Sequence, residues 1–289
     1  MRKPKIIIFG DNRRENVAET IQKFTKFVQG KAVILANCFC GDCFRDVLKQ
    51  TDYAFVFGGD GTILSAAREL SQNNIPVIGI NVGRLGFLAE FSLEQVKKLF
   101  GRLVSDKTLI EKRMLLNCTI TGKNKKKLVS TAINEIVITA GEKFNMIGLK
   151  MTVQGQSLAD CIGDGLIVST PTGSTAYNLS AGGPILSARL SALVITPICP
   201  HTLSFRPIVI DAEKKLNIYP QRVNEGTTVM LDGQIFCSLE RDDVITIEKH
   251  KGSFLVVNNP LQTQWDTLAG KLNWAQKPKY NQTAGRVKK

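Results

Sequence analysis

Short apolar runs and amphipathic stretches alternate along the first hundred residues. The runs 5-KIIIF-9, 32-AVILA-36, 53-YAFVF-57 and 75-IPVIGI-80 have strand length and almost no polar interruption. Between them, Val17, Ile21, Phe24 and Val28 recur on one helical face, and residues 42–50 and 62–72 also read as helices. A further helix is predicted over 92–103, with Ser92 as N-cap and Gln95 three residues on. Strands alternating with helices imply βαβ units and a mostly parallel sheet. From about residue 113 the texture changes to closely spaced strand-like segments. They are 114–120, 127–139, 149–153, 165–169, 207–210, 215–219, 227–231, 235–239, 243–247 and 253–257, with one helix at 174–181. Several alternate apolar and polar positions, as an antiparallel sandwich or folded-over sheet does. The fold class expected is therefore an α/β N-terminal domain with a mostly parallel sheet, residues 1–112, followed by a β-rich domain, residues 113–257. The remaining 258–289 lose the pattern and read either as a disordered tail or as a segment packing back on the first domain, with Trp265 and Trp274 favouring at least partial docking.

Length and composition fit two soluble domains: 289 residues, 43% hydrophobic and 22% charged. The apolar runs are too short to cross a bilayer or to serve as a signal-peptide core, which places the protein in the cytoplasm with no membrane partner. Seven cysteines, mostly in or beside apolar runs (Cys118, Cys161, Cys199, Cys237), suit reduced, buried thiols. The cluster 38-CFCGDC-43 offers Cys38, Cys40 and Cys43 to zinc but lacks a nearby fourth ligand, so structural thiols are the better reading. The net charge of +13 suits steering of a polyanion or a lysine-rich solvated surface. Aromatic residues, 7% of the chain, do not interleave with the basic ones, so no nucleic-acid stacking platform is expected.

Chemistry concentrates in two glycine loops. In 54-AFVFGGDGTILSAAREL-70 the turn at the end of a predicted strand carries Gly58, Gly59, Asp60 and Gly61, and Thr62 starts a helix. Ligands bind at this end of open parallel sheets, and bare amides at a helix start favour an anion. The loop is neither a Walker loop nor a dinucleotide fingerprint. Asp60 is the odd member, because a carboxylate beside phosphates must hold a metal ion, take a proton from an attacking hydroxyl, or merely cap the helix. In the second loop, 164-DGLIVSTPTGSTAYNLSAGGPI-185, small hydroxylic residues let a ligand reach the backbone, and Tyr177 offers a flat face to a nucleobase.

GGDGT at 58–62, NVGRLGFLAE at 81–90, NE at 134–135, DG with STPTGSTAYNLSAGGP at 164–184, PICPHTLSFRPIV at 197–209 and LDGQ at 231–234 together resemble the NAD kinase family. The resemblance runs in order over roughly residues 50–240, and its most specific block is STPTGSTAYNLSAGGP. It implies transfer of a phosphoryl group from ATP or polyphosphate to the 2′-hydroxyl of the adenosine ribose of NAD, giving NADP. It also implies a divalent cation such as Mg²⁺, an active site in the interdomain cleft, and a homodimer or homotetramer. Carried over by residue, Asp60 is the base, with Gly58, Gly59, Gly61 and Thr62 around it. Asn134 and Glu135 hold the ribose and its neighbours. Asp164, Thr175, Ala176, Tyr177, Asn178, Leu179 and Ser180 line the nucleotide, and Gln234 is a further binding position. Asn145 falls where the family often has a basic or imidazole side chain. Ser65 replaces a residue that often reaches phosphate, so either Arg68 compensates or that contact is weaker. His201 and Arg206 read as loop residues. The other readings are a lipid or sphingoid kinase sharing GGDGT, and a nucleotide- or polyanion-binding protein without chemistry.

Overall fold

The computed structural model describes residues 2–38, 45–83, 86–122, 126–141 and 145–274. The four N-terminal apolar runs form β1 (Lys5–Gly10), β2 (Val33–Cys38), β3 (Tyr53–Gly58) and β4 (Val77–Asn81), parallel and in the order β2-β1-β3-β4. They are apolar throughout because helices cover both faces of the sheet. The helices are α1 (Glu15–Val28), α2 (Arg45–Lys49), α3 (Asp60–Ser71) and α4 (Leu93–Ser105). On one face α1 turns in Val17, Ile21, Phe24 and Val28, and the Phe24 ring lies 4.7 Å from that of Phe55. On the other face Ile63, Leu64, Ala67 and Leu70 of α3 pack with Ile7, Phe9, Val56 and Val77. The start of α4 is a complete capping box: Ser92 accepts from the Gln95 amide, and the Gln95 side chain accepts from the Ser92 amide.

The β-rich part contributes β5 (Ile110–Thr121), β6 (Lys126–Ala132), β7 (Glu135–Thr139), β8 (Ile147–Val153), β9 (Gln156–Gly163) and β10 (Gly165–Ser169). It continues with β11 (Ala192–Ile198), β12 (Ile208–Asp211), β13 (Leu216–Arg222), β14 (Thr228–Leu231), β15 (Ile235–Ser238) and β16 (Val244–Val257). Six of these make an antiparallel sheet in the order β12-β11-β10-β7-β14-β15. The others extend the first sheet through β16, which pairs in parallel with β4 at Val256 and antiparallel with β5 and β13. A shared core of Leu116, Ile138, Leu166, Ile195, Ile245 and Ile247 lies between the two sheets.

The pattern at 127–139, which reads as one strand, is two strands in different sheets, broken at Ile133 and Asn134. The segments at 243–247 and 253–257 are one strand, β16, with a shift of register between Lys249 and Ser253. After β16 the chain returns to the first domain: the Asn258 amide donates to the Leu109 carbonyl and the Asn259 amide to Glu90. A last helix, α6 (Gln264–Leu272), follows α5 (Tyr177–Ser180) in chain order. It docks through Thr267 and Leu268, while Trp265 and Trp274 are exposed, so the tryptophans are not what holds it. No helix among the described residues is long and apolar enough to cross a membrane. Cys118 and Cys161 are buried free thiols as expected, but Cys199 is exposed in a loop at φ 43°. Cys38 is disulfide-bonded, which corrects its reading as a reduced thiol. Cys40 and Cys43 lie outside the described residues.

Candidate active site

Asp60 is the first residue of α3, at the carboxyl end of β3. Its carboxylate does not cap that helix. Instead Oδ2 accepts from the Phe87 amide at 2.8 Å, and Oδ1 accepts from Leu88 and Ala89 at 2.9 and 3.1 Å. The turn after β4 therefore aims the side chain, which keeps 30% of its surface exposed. Gly86 makes this possible, since a Cβ there would fall 2.0 Å from Asp60 Oδ1. Gly58 is fixed by backbone conformation, with φ +154° and the Thr62 hydroxyl 2.4 Å from where a Cβ would stand. Gly59 and Gly61 answer to something else, because a Cβ on either would meet nothing within 4 Å. They border an open hollow of about 340 Å³, shared with Thr62 and Ser65 and facing Asp11 and Arg14 at the end of β1.

A second hollow lies across the Phe87–Leu88 backbone, between the two domains. Phe87 and Leu88 line it from the first domain, Thr172 and Thr175 from the second glycine loop, and Gln264, Thr267 and Leu268 from α6. The expected cleft lined jointly by 58–62 and the second loop is not seen as one hollow: residues 58–62 border the first hollow, the second loop borders this one, and α6 closes one side of it. Around it Tyr177 is 41% exposed, Ser180 is exposed, and Thr175, Ala176 and Leu179 are half-buried. Asn178 differs from the expectation, being wholly buried. Its amide donates to the Ser174 and Pro184 carbonyls and accepts from the Thr196 hydroxyl, so it shapes the loop and its side chain is closed to a ligand.

Asn134 and Glu135 sit at the break between β6 and β7. The break is made by Asp232, whose buried carboxylate accepts the amides of Ile133, Asn134 and Glu135 and pairs with Arg68 at 3.2 Å. Three donors satisfied by one side chain release the backbone from either ladder. The Asn134 side chain is left without a hydrogen bond among the described residues, and Glu135 Oε2 is buried with no partner. Burial, and then the charge of Asp232, push the Glu135 carboxyl up to about 8. Gln234 is also committed. Its carbonyl accepts from Ser65 and Arg68, and its amide donates to the Gly61 carbonyl at 3.0 Å. It straps the β14–β15 hairpin to the glycine loop. Arg68, spent on Asp232 and Gln234, does not stand in for a phosphate ligand at Ser65.

Two expected residues lie elsewhere. In the pairing of β7 with β10, Glu135 faces Ser169 at the cleft end and Thr139 faces Gly165 at the other. Asp164 precedes Gly165 and is exposed there, about 17 Å from Ser169 along a strand of 5 residues. Asn145, also exposed, leads into β8, whose Ile147 pairs with Gly163 beside Asp164. Within one chain, neither is brought to Asp60.

Residues 12–108 match the family described as ATP-NAD kinase N-terminal domain, and residues 133–259 match ATP-NAD kinase C-terminal domain. The NAD kinase of Rhodopirellula baltica is 36% identical over 95% of this chain and 88% of its own length. The chain belongs to the NAD kinase family. The fold agrees across solved structures of NAD kinases. A yeast NADH kinase complexed with NADH superposes with a TM-score of 0.86 at 24% identity, over 98% of this chain and 91% of its own. An NAD kinase from Archaeoglobus fulgidus in complex with ATP gives 0.70 at 25%, over 93% and 98%.

In this NAD kinase, sequence reasoning missed Asp232, Glu90 and Lys271. Asp232 had a signal in its Asp-Gly pair, a hairpin signature borne out by φ of 49° and 67° at Asp232 and Gly233. Glu90 is half-buried, and its desolvation raises its carboxyl above the ordinary value; it anchors the returning tail at Asn259. Lys271 of α6 places Nζ 3.9 Å from Asp60 Oδ2. No local pattern foretold contacts that span 169 and 211 residues of chain.

Proposed function

We propose that the protein transfers the γ-phosphoryl group of ATP to the 2′-hydroxyl of the adenosine ribose of NAD, giving NADP and ADP. One observation carries this reading: the Asp60 carboxylate is held by three amides and stands between a glycine-walled hollow and the interdomain cleft. Oδ1 takes two amides and Oδ2 only one, so an acceptor position on Oδ2 remains for a substrate hydroxyl. Asp60 takes the proton of the 2′-hydroxyl as its oxygen bonds to the γ-phosphorus. The bond from that phosphorus to the bridging oxygen breaks, and its electron pair leaves with ADP. Asp60 supplies position more than base strength, as suits a loose transition state. The bare amides and hollow at Gly59 and Gly61 suit the donor phosphates, and Tyr177 and Thr175 suit the adenosine of NAD. The free oxygen of Glu135 suits a ribose hydroxyl.

Among the described residues no group of three or more His, Cys, Asp or Glu is placed to hold a metal ion. Mg²⁺ binds phosphate oxygens with few protein ligands, and the divalent ion of this reading arrives with the donor as MgATP. Asn145 and Asp164, remote from Asp60 in their own chain, reach the nucleotide only from a second copy, so the working enzyme is a homo-oligomer. A cytoplasmic setting, where NAD and ATP are both present, completes the reading.

A lipid or sphingoid kinase would need an apolar acceptor pocket. This one has apolar walls but sets the charged Glu90 and Arg113 among them, with Thr172, Thr175, Gln264 and Thr267. A non-catalytic anion binder gains nothing from a carboxylate beside its phosphate site. Incubation of the purified protein with NAD, Mg²⁺ and either ATP or polyphosphate, followed by an NADP-specific dehydrogenase assay, tests the proposal. NADP should appear with ATP; none with either donor would end it.

A further inference from the structure

Lys271 lies far outside the glycine motifs, near the end of α6, yet it is the cation beside the reactive carboxylate. Its Nζ is 3.9 Å from Asp60 Oδ2 and 4.3 Å from the centroid of the Phe87 ring. Phe87 is also the residue whose amide holds Oδ2. One turn therefore aims the carboxylate and, through the Phe87 ring, supports the lysine ammonium. At 3.9 Å the ammonium is not hydrogen-bonded to Asp60, and it makes no hydrogen bond to any described residue. Its three donors remain available on the side of the carboxylate where an acceptor position is open.

Docking of α6 does not depend on this lysine. The helix begins with a capping box of Thr263 and Asp266, receives the Ser187 hydroxyl at Gln264, and buries Thr267 and Leu268. Lys271 stands one turn further on, with its side chain 23% exposed. Among the described residues, Glu90, of the same sign, also interacts with Asp60, while Arg68 is engaged by Asp232. Asp11 and Arg14 face the glycine loop from across the neighbouring hollow.

We propose that Lys271 is a catalytic residue, whose ammonium contacts the phosphoryl group as it passes to the hydroxyl held by Asp60. This rests on the reading of the site as an NAD kinase. A hydroxyl hydrogen-bonded to Oδ2 has its oxygen about 2.7 Å from it, which brings the attached phosphoryl within reach of Nζ. Charge on the transferring oxygens then meets a cation that is already in place. The C-terminal helix thereby completes the active site.

The test compares wild type with Lys271→Ala and Lys271→Arg in the full-length chain. It measures kcat, KM for ATP, NAD affinity by calorimetry, and the thermal midpoint. Lys271→Ala should lower kcat by about 10²-fold, the size seen when one charge-stabilising donor is removed. NAD affinity and the thermal midpoint should stay close to wild type, and Lys271→Arg should restore at least a tenth of the rate. Equal kcat in wild type and Lys271→Ala would overturn the proposal. So would a loss of rate matched by lost NAD affinity or stability and not relieved by arginine, since that is what a structural tie would give. If wild type itself makes no NADP, the kinase reading falls and this proposal with it; if wild type and Lys271→Ala make it alike, only this proposal falls.

Discussion

Asp60 and Glu135 show how position makes two carboxyl groups into different tools. Asp60 is partly exposed and held by three backbone amides, which fix its direction. Glu135 is buried with an orphaned oxygen, and its carboxyl is raised from 4.5 to about 8. In the folded protein Glu135 therefore keeps a proton that the unfolded chain gives up near pH 4.5. Its favourable contribution is fully present below that value and is lost as pH rises through about 8. The ligand-free protein should lose thermal stability between pH 5.5 and 8.5 more steeply than Glu135→Gln, which has nothing to ionise. Thermal midpoints of the two proteins across that range check the sign. The glycine loop was legible as a turn between a strand and a helix, and β3 and α3 flank it as expected. The turn at 87–89 that aims its aspartate was not, because amide donors leave no mark in a side-chain sequence.

At the scale of elements, Asp232 decides where one strand ends and another begins. The alternation at 127–139 predicts a continuous strand, and local pattern cannot show that a carboxylate 98 residues away takes the Asn134 amide. Replacing Asp232 with alanine orphans three buried amides and leaves Arg68 uncompensated. Breaking a buried ion pair by removing one partner costs about 3–5 kcal/mol, and urea unfolding of Asp232→Ala should show a loss of that order. Helix α1 was fully legible, because Val17, Ile21, Phe24 and Val28 are a one-face pattern and the structure buries those four. Asn178 was misjudged for the opposite reason. It sits in the most distinctive motif of the chain, but the motif uses it to hold Gly183 and Pro184 in place, and a Cβ at Gly183 would fall 2.1 Å from its side-chain oxygen.

At the scale of the molecule, the alternation of strands and helices, followed by a run of strands, was enough to foretell the α/β and β-rich parts. It could not foretell that β16 would carry the chain back into the first sheet, because strand order is set by long-range pairing. The placement of Asp164 and Asn145 at the far end of the sandwich makes a prediction about assembly. On the homo-oligomer proposed above, Asp60→Asn should be inactive through its chemistry and Asp164→Ala weakened in NAD binding. Refolding the two together should regain activity above the sum of the separate proteins, because mixed oligomers contain sites with Asp60 from one copy and Asp164 from the other. Activity no greater than that sum would remove the shared site.

The central claim is that Asp60 is aimed by the turn at 87–89 to take a proton during transfer, and is not needed to hold NAD. The most direct measurement is turnover of Asp60→Asn with saturating NAD and MgATP, alongside calorimetric titration of the same protein with NAD. Asparagine keeps the size of the side chain but cannot accept the proton. Turnover should fall by about 10²–10⁴-fold, the range for loss of a general base, with NAD affinity within a few-fold of wild type. Turnover equal to wild type would contradict the claim.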